Sequence, residues 1–330
     1  MAAPIEVTGS DKEAQPESVL AGVDRKKIQG RSLGQIAWLR LKRDKVALTG
    51  AIVVIALILI AIFGPYFVQD PLKYHQNLID PTYNRPKYGF WHSGISSDHW
   101  LGVEPGSGRD MLARIVHGAR ISLLVSFLAT LMSVVIGTVL GITAGYFGGW
   151  VDTIISRAMD AFLAFPLLLF AIALVGVVAD GAWGLSGNGL RVSVLVVVIG
   201  FFNWPYIGRI IRGQTLSLRE REFVDAARSM GASNFYVLFK EILPNLVAPI
   251  LVYSTLLIPT NILFEAALSF LGVGVIPPTP SWGGMLTLAV PIYESDPMYM
   301  IIPGMAIFIT VLAFNLFGDG LRDALDPRSK

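Results

Sequence analysis

Ser217 to Pro244 reads SLREREFVDAARSMGASNFYVLFKEILP, a charged amphipathic island between two strongly apolar regions. Its first half opens with Ser217 and, three residues on, Glu220, the spacing of a capping box, and sets Phe223, Ala226, Ala227 and Met230 at helical spacing. Gly231 is expected to stop that helix. A second helical piece is predicted from Ser233, with Ala232, Phe235, Tyr236, Phe239 and Leu243 as a bulky apolar stripe and Asn234, Lys240 and Glu241 facing away. Pro244, which has no backbone donor, is expected to close this piece before the next apolar span. Because most of the flanking chain reads as membrane, the island is where the chain can best meet a soluble partner. A helix lying flat on lipid headgroups is the other reading that its amphipathicity allows.

Outward from the island the composition sets the class. The chain is 53% hydrophobic and 15% charged, with a mean hydropathy of +0.60, values of an all-α integral membrane protein. The absence of cysteine excludes disulfides, a thiolate metal site and a thiol nucleophile. Apolar runs over 46–67, 121–147, 161–179, 192–211, 246–274 and 298–317 are each near the ~20 residues that cross a bilayer, which predicts about six transmembrane helices. Lys and Arg crowd the N-terminal tail and the central loop, where Arg209, Arg212, Arg219, Arg221, Arg228 and Lys240 fall, whereas 275–296 has neither. By the positive-inside rule the tails and the central loop are cytoplasmic.

The expected organisation is a cytoplasmic tail (1–45, loosely ordered to about Arg31), a first span (46–67), an extracytoplasmic loop (68–118), a transmembrane core (119–320) containing the island at 217–244, and a short cytoplasmic tail (321–330). A cleaved signal peptide does not fit, because the polar lead is too long and no small-residue cleavage site follows the first run. The loop 68–118 holds His75, His92, His99 and His117, whose spacing matches no metal-ligand pattern, so solvated histidines and no metal site are expected.

Gly106, Gly108 and Arg109 suggest a phosphate loop, yet GxxxxGK[ST] is absent from the sequence, as are GxSxG and HExxH. No catalytic residues and no bound cofactor are therefore assigned. Gly137, Gly141 and Gly145 recur at four-residue spacing, a face that lets another helix approach closely. Pro166, Pro205, Pro249 and Pro259 each remove a backbone donor inside a span and call for a neighbouring helix or water. Glu265 is the carboxylate well inside a span, at a cost of ~3 kcal/mol if ionised near the bilayer centre. It is a candidate for the translocation path, or else a group hydrogen-bonded within the bundle or hydrated near the outer surface. Asn203 and Asn261 likewise need partners.

The island resembles the cytoplasmic "EAA" loop of ABC-importer permeases. Asp225, Ala226 and Ala227 fill the Glu-Ala-Ala block, Gly231 the glycine, and Leu243 and Pro244 the end, while Glu241 stands where an isoleucine is usual and Ile242 comes one position late. The resemblance continues through HWLGVEPGSGRDM (99–111), GYFGGWVD (145–152), EAALSFLGVGVIPPTPSWG (265–283) and FGDGLRDALDPR (317–328), which are similar to the C-type subunit of dipeptide, oligopeptide and nickel permeases. It implies a type I importer fold and a plasma-membrane location. It also implies a second permease forming a heterodimer, two ATPase subunits carrying ATP and Mg, and an extracytoplasmic substrate-binding protein, with no nucleic acid involved. By the same resemblance, Asp225, Ala226, Ala227, Gly231, Phe235, Tyr236, Phe239, Leu243 and Pro244 form the ATPase-coupling site. The alternative from another class is a secondary transporter driven by an ion gradient, which would show inverted repeats and intramembrane charge pairs.

Overall fold

A computed structural model describes residues 33–178 and 186–326, so the expected loose tail before Arg31 and the last four residues lie outside it. Helix α1 (Leu33–Leu41) packs Ala37 and Leu41 against Ala47 and Ala324. The first span, α2 (Lys45–Phe63), starts at Asp44, whose carboxylate accepts from the Val46 and Ala47 amides at 2.9 and 3.1 Å. Then come a small hairpin, β1 (Ile79–Asp80) with β2 (Arg85–Pro86), and the long helix α3 (Met111–Phe147). Next are α4 (Gly149–Ala164), α5 (Leu167–Val178), α6 (Gly187–Leu218), α7 (Glu222–Ser229), α8 (Asn234–Tyr236), α9 (Leu243–Phe270), α10 (Trp282–Ala289) and α11 (Met298–Leu325). The last helix thus runs five residues past the expected boundary at 320.

Among the described residues, five helices are long and apolar enough to cross a membrane, and the count reaches six, the expected number, where α4 and α5 are taken together as one broken span. The run 161–179 was expected as one helix. Instead the chain bends by 80° between α4 and α5. Phe165 precedes Pro166 and is driven out of the helical region, to φ −81° and ψ 130°.

The glycine face of α3 is used as expected. A methyl group on Gly137 would lie 2.7 Å from the Trp204 carbonyl oxygen, one on Gly141 2.7 Å from that of Gly208, and one on Gly145 2.7 Å from Thr215 Cβ. Only glycine lets α3 and α6 lie this close over about two turns. Ser133 of α3 donates to the Gly200 carbonyl at 2.8 Å, in the stretch of α6 that leads to Pro205. Asn203 and Asn261 satisfy each other: Asn203 donates to Asn261 at 2.8 Å, and Asn261 donates to the Thr130 hydroxyl at 2.8 Å. This buried chain of hydrogen bonds ties α6, α9 and α3.

The connection between α2 and α3 is held by charge. Asp110 accepts from the Ala113 amide at 2.7 Å, capping α3, and its second oxygen bonds His99 Nδ1 at 2.7 Å. Glu104 is buried and bonded to Arg109, Ser107 and Tyr299, with Arg114 at 3.6 Å. Burial alone would push its carboxyl up, but Arg114 and these three donors together hold it below the usual carboxylate range. Arg109 is thereby committed to an ion pair rather than to a phosphate. The expectation of solvated histidines holds for exposed His92 but fails for His99, which is buried against Asp110 and meets the His75 ring edge-on at 5.0 Å. His117 lies inside α3 and bonds the Ala113 carbonyl at 2.9 Å. No group of three metal-ligating side chains occurs among the described residues.

Candidate functional site

The 217–244 element begins later than its sequence suggests. Helix α6 continues to Leu218, because Thr215 is fully buried against Gly145 and donates to the Ile211 carbonyl at 2.7 Å. Ser217 is therefore in the last turn of a helix, and its capping box with Glu220 does not form. Helix α7 starts at Glu222, with Glu222 and Asp225 in the first turn, where the helix dipole favours acids.

Of the predicted stripe on α7, only Ala227 turns fully inward, together with Val224; Phe223, Ala226 and Met230 are exposed. Val224 and Ala227 pack on a cluster that includes Tyr146, Ile207 and Ile211. Gly231 stops the helix as expected, at φ +83°. The Ala232 amide donates to the Ala227 carbonyl at 3.0 Å and the Gly231 amide to that of Arg228 at 2.9 Å, the pairing of a Schellman cap. Ser233 then caps the next helix by accepting from the Tyr236 amide at 3.3 Å.

Pro244 does not close the second piece. A π turn over Val237–Ile242 carries α8 directly into α9, and the Leu243 amide bonds the Leu238 carbonyl five residues back. The wider turn removes the clash between the proline ring and the carbonyl four residues earlier that would end an α-helix. It also absorbs one residue. Val237 and Ile242, five apart, both point inward and are fully buried, which is why the isoleucine stands one position late and Glu241 is only partly covered.

The two faces of the element differ. The inner face is fixed by Val224, Ala227, Val237 and Ile242 and by partly buried Leu243. Polar contacts add to it: the Tyr146 hydroxyl donates to Asn234 at 2.8 Å, Arg228 lies 5.0 Å over the Tyr146 ring, and Arg219 donates to the Gly145 carbonyl at 3.2 Å. Asn234, expected to face away, is thus bonded to α3. On the outer face Met230 is 83% exposed and Phe235 71%, with Tyr236 and Phe239 each half exposed. Phe235 and Phe239 pack on each other at 4.3 Å. Asp225 and Pro244 are exposed as well, Asp225 lying 3.9 Å from Arg228.

Of the nominated residues, the element brings Asp225, Ala226, Gly231, Phe235, Tyr236, Phe239 and Pro244 to the surface and uses Ala227 and Leu243 as anchors. Sequence reasoning missed the anchors Val224 and Val237, and it placed Met230 in the apolar stripe without assigning it to the coupling site. The displaced Ile242 was the visible sign of the π turn. Glu265 lies elsewhere, fully enclosed in α9; Ser269 donates to it at 2.8 Å, and the Ser269 hydroxyl accepts from the Val275 amide at 3.3 Å. It reaches no surface of this chain.

Comparison with known proteins places the chain in a family. Residues 137–330 match the model of the binding-protein-dependent transport system inner membrane component, and residues 32–86 match the N-terminal transmembrane domain of oligopeptide transport permease C. The chain is 42% identical over 294 residues to the dipeptide transport system permease protein DppC of Alkalihalophilus pseudofirmus, covering 89% of this chain and 90% of that one. It is 41% identical over 297 residues to the glutathione transport system permease protein GsiD of Escherichia coli, again covering 89% and 90%. Among solved structures, an inward-facing form of the MetNI methionine ABC transporter shares the fold, with a TM-score of 0.52 at 20% identity, over 66% of this chain and 98% of that one.

Proposed function

The chain belongs to the binding-protein-dependent inner membrane components, as a C-type permease of an ABC importer, and from this premise we propose that 217–244 docks into a groove on an ATPase subunit. This membership sets aside the secondary transporter driven by an ion gradient. The observation that carries the docking reading is the exposed row Met230, Phe235, Tyr236 and Phe239 on an element whose opposite face is anchored by fully buried Val237 and Ile242. A surface helix with no partner has little reason to present four large apolar side chains to water.

In this reading the chain forms half of a pathway completed by a second, similar permease, and two ATPases carry the ATP, the Mg and all of the catalysis. An extracytoplasmic binding protein delivers the cargo. The protein sits in the bacterial inner membrane with both termini and 217–244 in the cytoplasm, which the distribution of Lys and Arg supports. The cargo is a short peptide, as the names of the dipeptide and glutathione permeases suggest. ATP-driven closure of the ATPases would move the docked element, and the Tyr146 and Val237 contacts would pass that movement to α3, α6 and α9 as a body. The test is to reconstitute the chain with its partner subunits and binding protein and to measure ATP hydrolysis. Short peptides should stimulate it and unrelated solutes should not; equal rates with and without every peptide tested would refute the cargo.

A further inference from the structure

Two ion-pair sites join α4 to α6, and they differ in kind. Asp152 and Arg212 form a closed, two-pronged pair, with a second bond of 2.7 Å, and both side chains are largely covered. Three residues further inside α6, Arg209 bonds Asp160, and both are 52% exposed. Arg157 lies 3.7 Å from the same carboxylate and is 81% exposed. Two guanidinium groups thus share one carboxylate, leaving a net positive charge and several N–H donors beside a hollow of about 310 Å³ lined by Ser156, Met159, Asp160, Arg209 and Arg212.

The depth of this cluster gives it meaning. Arg209 stands nine residues before the end of α6 at Leu218, about 13 Å at the helical rise, and Asp160 stands eleven residues after the start of α4 at Gly149, about 16 Å. Other exposed side chains on these two spans include Ile154, Phe165, Val197 and Phe201, as lipid contact requires. A half-exposed pair with an extra cation does not suit hydrocarbon. Tyr206, 55% exposed and one turn from Arg209, extends the polar strip toward the bend at Pro166.

The geometry points to Arg157 and Arg209 as a carboxylate-binding site on the cytoplasmic half of the translocation route, where the C-terminal carboxylate of a short peptide is received by their guanidinium forks. Arginine suits this task because its planar donors match a carboxylate in two-pronged fashion. Asp160 is a positioning residue: it holds the Arg209 fork at the hollow and keeps exposed Arg157, which is not part of the lining, beside it at 3.7 Å. The inference rests on the peptide-importer reading and on nothing in the ATPase-docking face.

The test uses the complete complex in vesicles, with alanyl-alanine and its C-terminal amide as cargo at sub-saturating concentration. The wild-type complex should take up the carboxylate form in preference to the amide, and Arg157→Gln and Arg209→Gln should each lower that preference about tenfold by raising KM for the carboxylate form. Arg157→Lys and Arg209→Lys should recover part of it, as a point charge without the fork. Equal losses for both cargo forms, or an unchanged preference, would overturn the site. So would loss of the second permease on purification, which would mark a subunit contact, or an effect seen only with anionic lipid, which would mark a headgroup anchor. A wild-type complex that takes up peptide without preferring the carboxylate also removes the site. One that takes up neither cargo refutes the peptide reading together with it.

Discussion

The Tyr146 hydroxyl, at the end of α3, donates to Asn234 Oδ1 at 2.8 Å, in the first turn of the helix after Gly231. These residues are 88 apart in sequence, and their bond fastens the exposed aromatic row to α3. Tyr146→Phe removes the bond but keeps the ring under Arg228 and should cost about 1 kcal/mol locally. Backbone amides from 232 to 240 are expected to exchange hydrogen several-fold faster while the membrane spans keep their protection. Tyr146→Ala removes both contacts and should speed exchange further; unchanged exchange in both variants would show that the tie does not hold the element.

Gly231 separates two effects that a substitution usually mixes. A side chain there would meet nothing within 4 Å, so any cost comes from the backbone at φ +83°. Gly231→Val should therefore misdirect the second piece and abolish uptake while membrane insertion and expression stay near normal. Gly231→Asn should keep substantial uptake, since asparagine enters the left-handed region far more readily than a β-branched residue. Equal activity of the two variants would remove the backbone argument.

Topology is open to a direct chemical test because the chain has no cysteine of its own. A single cysteine at Ser233 should resist an impermeant thiol reagent added outside cells and react once the membrane is opened. One at exposed Asp98 should react from outside. Reversed labelling would invert the orientation assigned to every loop.

How far the sequence carried depended on the range of the interaction concerned. Gly231 and Ser233 were legible because their partners lie within a few residues: a helix stop needs Ala227 and Arg228, and a cap needs Tyr236. The glycine face of α3 was legible for a similar reason, since its spacing states that something must approach. The failures have distant causes. Ser217 has the chemistry of a cap, but Thr215 packing on Gly145 of another helix keeps α6 helical past it. Pro244 has the chemistry of a stop, and the π turn that accommodates it exists because Val237 and Ile242 both bury. The mutual bond of Asn203 and Asn261 joins positions 58 apart, and neither residue names its partner.

Asp296, in the connection before α11, is 1% exposed, with Oδ1 accepting from the Tyr299 amide at 3.4 Å and Oδ2 without a partner. Burial raises its pKa from 3.8 to about 6. A carboxyl whose folded pKa lies above its unfolded value binds its proton more tightly when folded, so stability falls as pH rises from about 4 to 6 and stays lower above that window. Asp296→Asn should raise the thermal midpoint of the purified chain at pH 7 and leave it nearly unchanged at pH 4. The full linkage is on the order of 3 kcal/mol. A variant equally stabilised or destabilised at both pH values would show that the buried charge is not the cause.

The central claim is that the exposed row on 217–244 is the contact through which ATP hydrolysis reaches the spans, and Phe235 tests it most directly. It is 71% exposed and is not among the residues that anchor the element, so Phe235→Asp should leave the chain folded and inserted while placing a charge where an apolar groove is expected. The measurement is co-purification of the ATPase subunits with the tagged permease, alongside uptake in the same cells. The account predicts normal permease levels, retention of the second permease, and loss of both the ATPases and uptake. A Phe235→Asp permease that brought down its ATPases at the wild-type ratio and supported normal uptake would contradict it.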